Sequence, residues 1–180
     1  MLQNTLPFKI SIVSVPTNLV DKLFSSNKTH QDYKLKIEKE IVSYTKKMSL
    51  DTIPIELHLR VIPFKEQDSK KRLRAYQGSM GMLYLFEKGD LVSFEEIVKD
   101  FLKFKDFYDS MNSNPIFLGL NSHSNQESMD KIDQEVKKYE LKYKEVNITE
   151  TNSFEHFLRK FILNSESFQA TVQGSCDINS

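Results

Sequence analysis

The sequence predicts an open α/β sheet with helices on both faces, and three observations carry that prediction. The runs "GMLYLF" and "PIFLGL" are short and continuously apolar, as strands covered on both sides are. Around them lie segments with apolar residues at helical spacing, so strand and helix alternate through the second half of the chain. Residues 53–62 alternate strictly, with Ile53, Ile55, Leu57, Leu59 and Val61 facing one way and Glu56, His58 and Arg60 the other.

Each element follows from its own signal. Ile and Val content makes residues 8–15 a buried strand, and Asn18 is placed to cap a short helix running to about residue 24. The polar stretch "SSNKTHQDY" reads as a loop. Residues 40–48 and 53–62 read as two strands joined through "SLDT". In "KEQDSKKRLRAY", Lys70, Lys71, Arg72 and Arg74 read as the solvated face of a helix, with Glu66 and Asp68 diluting the charge, the other reading being a basic contact to an acidic partner. After the strand "GMLYLF" comes a helix carrying Phe94, Ile97, Phe101 and Phe104, with Ser93 as its cap. The strand "PIFLGL", a helix marked by Ile132, Val136 and Tyr139, and the strand "KYKEVNI" complete the sheet.

The last helix carries Phe154, Phe157, Leu158, Phe161 and Ile162. Their burial is worth roughly 1.5–3 kcal/mol each before entropy is counted, which makes this helix part of the core. From about residue 164 the chain is polar and aperiodic. The expected organisation is one domain over 1–163 and a flexible tail over 164–180. In open sheets of this kind ligands bind at the carboxyl ends of the strands.

Composition narrows the partners. Lys plus Arg is 25 and Asp plus Glu is 25, so no global field draws the chain to nucleic acid or anionic lipid. The single Cys176 cannot close a disulfide within the chain and fits a reducing compartment. It stands fifth from the end in "CDINS", where a prenylation box needs the fourth position, and no basic cluster is near to make a stable anchor. No apolar run reaches the ~20 residues of a membrane span. The start, "MLQNTLPFK", lacks the pattern of a signal peptide, and a cytoplasmic protein is expected. His30, His58, His123 and His156 are scattered without ligand spacing or a nucleophile partner, so neither a metal nor a catalytic site is expected.

The order of segments resembles that of a small GTPase of the Ras superfamily, nearest the Rab branch. "GMLYLFEKGDLVSFEEI" is similar to the family's strand, turn and Ser-Phe-Glu helix start, "PIFLGLN" to the strand leading into base recognition, and "DQEVKKYELKYKEVNIT" to the penultimate helix and final strand. Upstream, "FKISIV", "DYKLKI" and "IPIELHL" fit the first three strands and the loop before the second. The resemblance implies a Ras-like open sheet of six strands, mostly parallel with one antiparallel edge strand. It extends from about residue 7 to 163.

The family's chemistry is not carried over with its order. A phosphate-binding loop needs G-x-x-x-x-G-K-[ST], because glycines let backbone N–H groups wrap phosphates while Lys and a hydroxyl meet phosphate and Mg²⁺. With Ser14 at the first glycine, Leu19, Val20 and Asp21 stand where Gly, Lys and Ser/Thr belong, and the first glycine of the chain is Gly78. The Mg²⁺-ligating threonine falls on Lys36, and the Asp-Thr-Ala-Gly-Gln run becomes Val61, Ile62, Pro63, Phe64 and Lys65. Asn-Lys-x-Asp becomes Asn121, Ser122, His123 and Ser124, leaving Asn121 as a vestige whose ordinary role is a local turn. Asn147, Ile148 and Thr149 replace Ser-Ala-Lys. Four lost charge-assisted hydrogen bonds at ~1.5–3 kcal/mol each weaken nucleotide binding by roughly 6–12 kcal/mol, about four to eight powers of ten.

The expectation is therefore a pseudo-GTPase: a Rab-like protein-binding module or structural subunit of a larger cytoskeletal, ciliary or organelle-associated complex, with no nucleotide, cofactor or metal and no catalysis. In the resembled family partners read the two switches and the strands between, which here implies Tyr33, Ile37, Ile41, Tyr44, Arg60, Phe64 and Tyr76. The alternatives are a divergent GTPase that still binds guanine nucleotide as a trafficking switch, and a flavodoxin-like binder sharing only the architecture.

Overall fold

The strict alternation at residues 53–62 becomes the strand around which the sheet divides. The computed structural model describes residues 5–16, 18–25, 33–38, 41–62, 64, 69–110, 115–120, 126–150, 152–166 and 168–170. Its elements are β1 (Leu6–Val15), α1 (Leu19–Ser25), β2 (Lys34–Glu38), β3 (Ile41–Leu50), β4 (Ile53–Ile62), α2 (Ser69–Tyr76), β5 (Gly81–Glu87), α3 (Leu91–Lys103), α4 (Lys105–Ser110), β6 (Ile116–Leu120), α5 (Gln126–Lys138), β7 (Lys142–Val146) and α6 (Ser153–Leu163). They form a mixed sheet in the order β2-β3-β4-β1-β5-β6-β7. The strands from β4 to β7 pair in parallel, and the antiparallel pairings, β2 with β3 and β3 with β4, lie at one edge.

The "SLDT" junction is a two-residue hairpin. Asp51 and Thr52 take φ of 45° and 76°, the left-handed pair of a primed turn whose twist suits antiparallel strands. One expectation needs correction here: the sheet has seven strands, not six. The extra one is β2, in a stretch that reads as the loop before the second strand. Leu35 registers with Tyr44 and Ile37 with Val42, so five residues with only two apolar side chains are held by β3's ladder rather than by their own pattern.

The two faces of the sheet bury separate clusters. Phe8, Ile10, Ile12, Leu57 and Leu59 face α1 and α6, which contribute Leu19, Val20, Leu23, Phe154, Leu158 and Ile162. Val13, Tyr84, Phe86 and Phe117 face α2, α3, α4 and α5. The Phe94 to Phe104 stripe is core as its spacing predicts, although its chain breaks at Phe104 into α3 and a short α4. Its N-cap is Asp90, not Ser93: the Asp90 carboxylate accepts from the Ser93 amide at 3.1 Å and the Ser93 hydroxyl at 2.5 Å. Core contact also runs past residue 164, where the tail is expected to begin. Phe168 is buried and joins the α1/α6 cluster, because the Ser165 hydroxyl and carbonyl hold the next turn.

One ion pair ties the antiparallel edge to α6. The Lys46 ammonium, 7% exposed, lies 2.7 Å from Glu155, which Arg159 also meets at 2.9 Å. Burial alone would raise the Glu155 pKa, but the hydrogen bonds and charges of Lys46 and Arg159 outweigh it and hold the carboxyl below its ordinary 4.5. A depressed carboxyl stabilises the fold fully above its unfolded value, and that contribution is lost as pH falls through the folded one. Glu155→Gln should therefore melt below wild type at neutral pH. The gap should close as pH is lowered below 4.5 in a melting series; a gap independent of pH contradicts the assignment.

Candidate functional site

The chain between β1 and α1 is where the resemblance would place a phosphate, and its geometry follows from Pro16, Leu19, Val20 and Asp21. Pro16 has no N–H to offer, and its carbonyl already accepts from the Leu19 amide at 3.1 Å and the Ser14 hydroxyl at 2.7 Å. The turn is so short that α1 begins at Leu19, and Leu19 and Val20 are driven straight into the core at 1% exposure each. Asp21, at the hydroxyl position, accepts from the Tyr44 phenol at 3.0 Å, and Tyr44 stacks on Phe24 at 4.2 Å. Burial, followed by the Asp21 contact, pushes the Tyr44 pKa up to about 12, so the phenol keeps its proton and remains a donor. This corner is an apolar helix start pinned by a tyrosine.

The neighbouring strand ends are also engaged internally. Lys22 pairs with Glu87 at 2.9 Å and Lys88 with Glu145 at 2.6 Å across the carboxyl edge. Asn147 accepts from the Thr149 amide and hydroxyl at 3.1 and 2.8 Å, which makes a local turn. Lys36 lies on the edge strand, beside Ser43. Asn121, His123, Pro63 and Lys65 lie outside the described residues. Among the described residues no three His, Cys, Asp or Glu side chains come together as a metal site.

The helix after β4 departs most from its sequence reading. Arg72 is read there as part of a solvated face, yet it is 3% exposed. Its guanidinium grips Asp100 of α3 through two contacts of 2.6 Å, donates to the Tyr76 hydroxyl at 3.0 Å and to the Phe64 carbonyl at 3.2 Å. Tyr84 donates to the same carboxylate at 3.0 Å and lies 2.7 Å from the Tyr108 hydroxyl. The network satisfies its buried members and fixes Phe64 and α2 against α3.

The seven implied partner residues do not share one surface. Tyr44 and Tyr76 are 8% and 0% exposed and serve the core, which removes them as contacts for a partner. Phe64 is half-buried under Arg72. Tyr33 is half-buried, edge-on to Phe24 at 5.1 Å and beneath the Lys46 ammonium. Ile37 is 68% exposed, on the α1/α6 side by its register with Val42. Arg60 is on the opposite side of the sheet, and the Ile41 side chain lies outside the described residues.

Sequence reasoning missed the residues around Arg60. Pairing puts Lys36, Ser43, Arg60 and Ser11 in one row across the sheet and Lys34, Thr45, His58 and Lys9 in the next. The signal available was the period of two that turns Glu56, His58 and Arg60 outward; its extension to β1 and β2 needs the sheet order. A scan against protein-family models gives no match for this chain, and a search of curated proteins gives none either.

Proposed function

We propose that this protein is a Rab-like pseudo-GTPase, a protein-binding module or structural subunit of a larger assembly that neither binds nor hydrolyses GTP. The observation that carries the reading is the β1–α1 corner, where the two positions that would touch phosphate are core residues and the third is a carboxylate held by Tyr44. A site of that chemistry repels a triphosphate instead of wrapping it. The sheet order supports the resemblance: with β2 set aside, the remaining strands are five in parallel with one antiparallel neighbour at the edge.

The second-switch position supports a constitutive binder. In a nucleotide switch that segment orders and releases with the γ-phosphate. Here Arg72 holds Phe64 and α2 to Asp100 through buried contacts within the chain. Recognition then rests on a surface with one shape, and the surface left to a partner is the open side of the antiparallel edge. Nucleotide content tests the reading: the denatured, freshly purified protein should release no guanine nucleotide on ion-exchange chromatography, and a near-equimolar GDP or GTP peak would overturn it.

A further inference from the structure

We propose that the open face of β2, β3 and β4 is a docking surface for an acidic polypeptide segment of a partner protein, an assignment that rests on the binding-module reading above. On this face Lys34, Lys36 and Lys47 are exposed and the positions nearer β1 are half-buried, because α2, α3, α4 and α5 cover the other end of this side of the sheet. Its described side chains include Lys9, Lys34, Lys36, Lys47 and Arg60, together with Glu56 and His58. Five cations among the described side chains share this face of a chain whose charges balance at 25 and 25.

Among the described residues the inner pair of cations has no counterion. Lys9 donates to the Gln77 carbonyl at 2.7 Å and the Ala75 carbonyl at 3.4 Å, and Arg60 shares the Ala75 oxygen at 3.4 Å. The carbonyls at the end of α2 favour positive charge, but they do not neutralise two cations. Among the described residues no carboxylate reaches either one, and the Arg60 Nε–H is buried without an acceptor. Burial, and then the charge of Arg60, lowers the Lys9 pKa, as expected for like charges held together. Carboxylates supplied from outside would relieve that repulsion, and Ser43 and Thr45 stand between the cations as further hydroxyl partners.

The same face argues against other anions. Its strands present no Phe, Tyr or Trp on this side among the described residues, so bases have nothing to stack on. The exposed apolar residues of β2, Leu35 and Ile37 at 57% and 68%, register with residues of the α1/α6 side and cannot enter a bilayer met by this face. Strands stand ~4.8 Å apart, so the cation rows offer a flat lattice to a chain bearing closely spaced carboxylates.

The test uses a fluorescein-labelled oligoglutamate as the probe and fluorescence anisotropy at low ionic strength. Lys34→Glu/Lys36→Glu/Lys47→Glu, all at exposed positions, should weaken binding about tenfold or more, as reversing several contacts of under 1 kcal/mol each requires. Lys99→Glu/Lys142→Glu/Lys144→Glu, also exposed and equal in charge change, should leave it within about twofold. Equal loss in both sets, or no binding by wild type, overturns the proposal. So does face-dependent capture by phosphatidylcholine vesicles with about 30% phosphatidylserine when the peptide does not bind, since that marks a membrane surface. Guanine nucleotide in the purified protein would remove the nucleotide-free reading and leave this assignment to the peptide titration alone.

Discussion

Asp100→Ala should lower the unfolding free energy by about 3–5 kcal/mol, the cost of leaving one member of a buried pair without the other. Asp100 and Arg72 are 8% and 3% exposed, and the carboxylate takes both guanidinium contacts at 2.6 Å plus the Tyr84 hydroxyl at 3.0 Å. Without it the Arg72 charge stays in the core among the rings of Phe64, Tyr76 and Phe104. Taking out both charges removes the uncompensated ion, so Arg72→Met/Asp100→Leu should lie closer to wild type than either single variant. Urea unfolding of wild type, Arg72→Met, Asp100→Leu and the double variant gives the coupling directly. A loss under about 1 kcal/mol for Asp100→Ala would show the pair to be solvated and α2 to be loosely held.

Val20→Lys has the second large expected effect, and it bears on function. Val20 occupies the place of the phosphate-binding lysine in the resemblance, so in a hidden nucleotide site a lysine there would face phosphate and be tolerated. In this structure Val20 is 1% exposed among Leu19, Leu23, Phe24 and the apolar face of the sheet. An ammonium placed there would be buried among apolar side chains, and the expected cost is about 3–5 kcal/mol or failure to fold. Val20→Ala, which only removes volume, should cost less and keep the fold. A Val20→Lys protein as stable as wild type, with a melting temperature raised by GTP and Mg²⁺, would mean that α1 can turn this position outward.

The fold was legible where burial imposes a period. β4 announces itself because one side of it is core, and β5 and β6 because both sides are. β2 was not legible, since Leu35 and Ile37 are exposed and its pairing is supplied by β3. Arg72 reads as a solvated cation because its partner lies 28 residues away on another helix, and no local pattern brings the two together. The β1–α1 corner was partly legible. Missing glycines gave the expectation that a phosphate would find no cradle there, but that Leu19 and Val20 are core residues and Asp21 is pinned by Tyr44 depends on how α1 packs. Two of the implied partner residues, Tyr44 and Tyr76, turn inward for a related reason: position along a chain does not say which side of a sheet a residue meets.

The most direct test of the central claim is the nucleotide carried by freshly purified protein, measured by denaturing it and resolving the supernatant beside GTP and GDP standards. The account predicts an empty trace and no change in melting temperature on adding Mg²⁺ with either nucleotide, because binding to the native state alone must stabilise it in proportion to RT ln(1 + [L]/Kd). A near-equimolar guanine peak, or a melting temperature that climbs with GTP concentration, would contradict it.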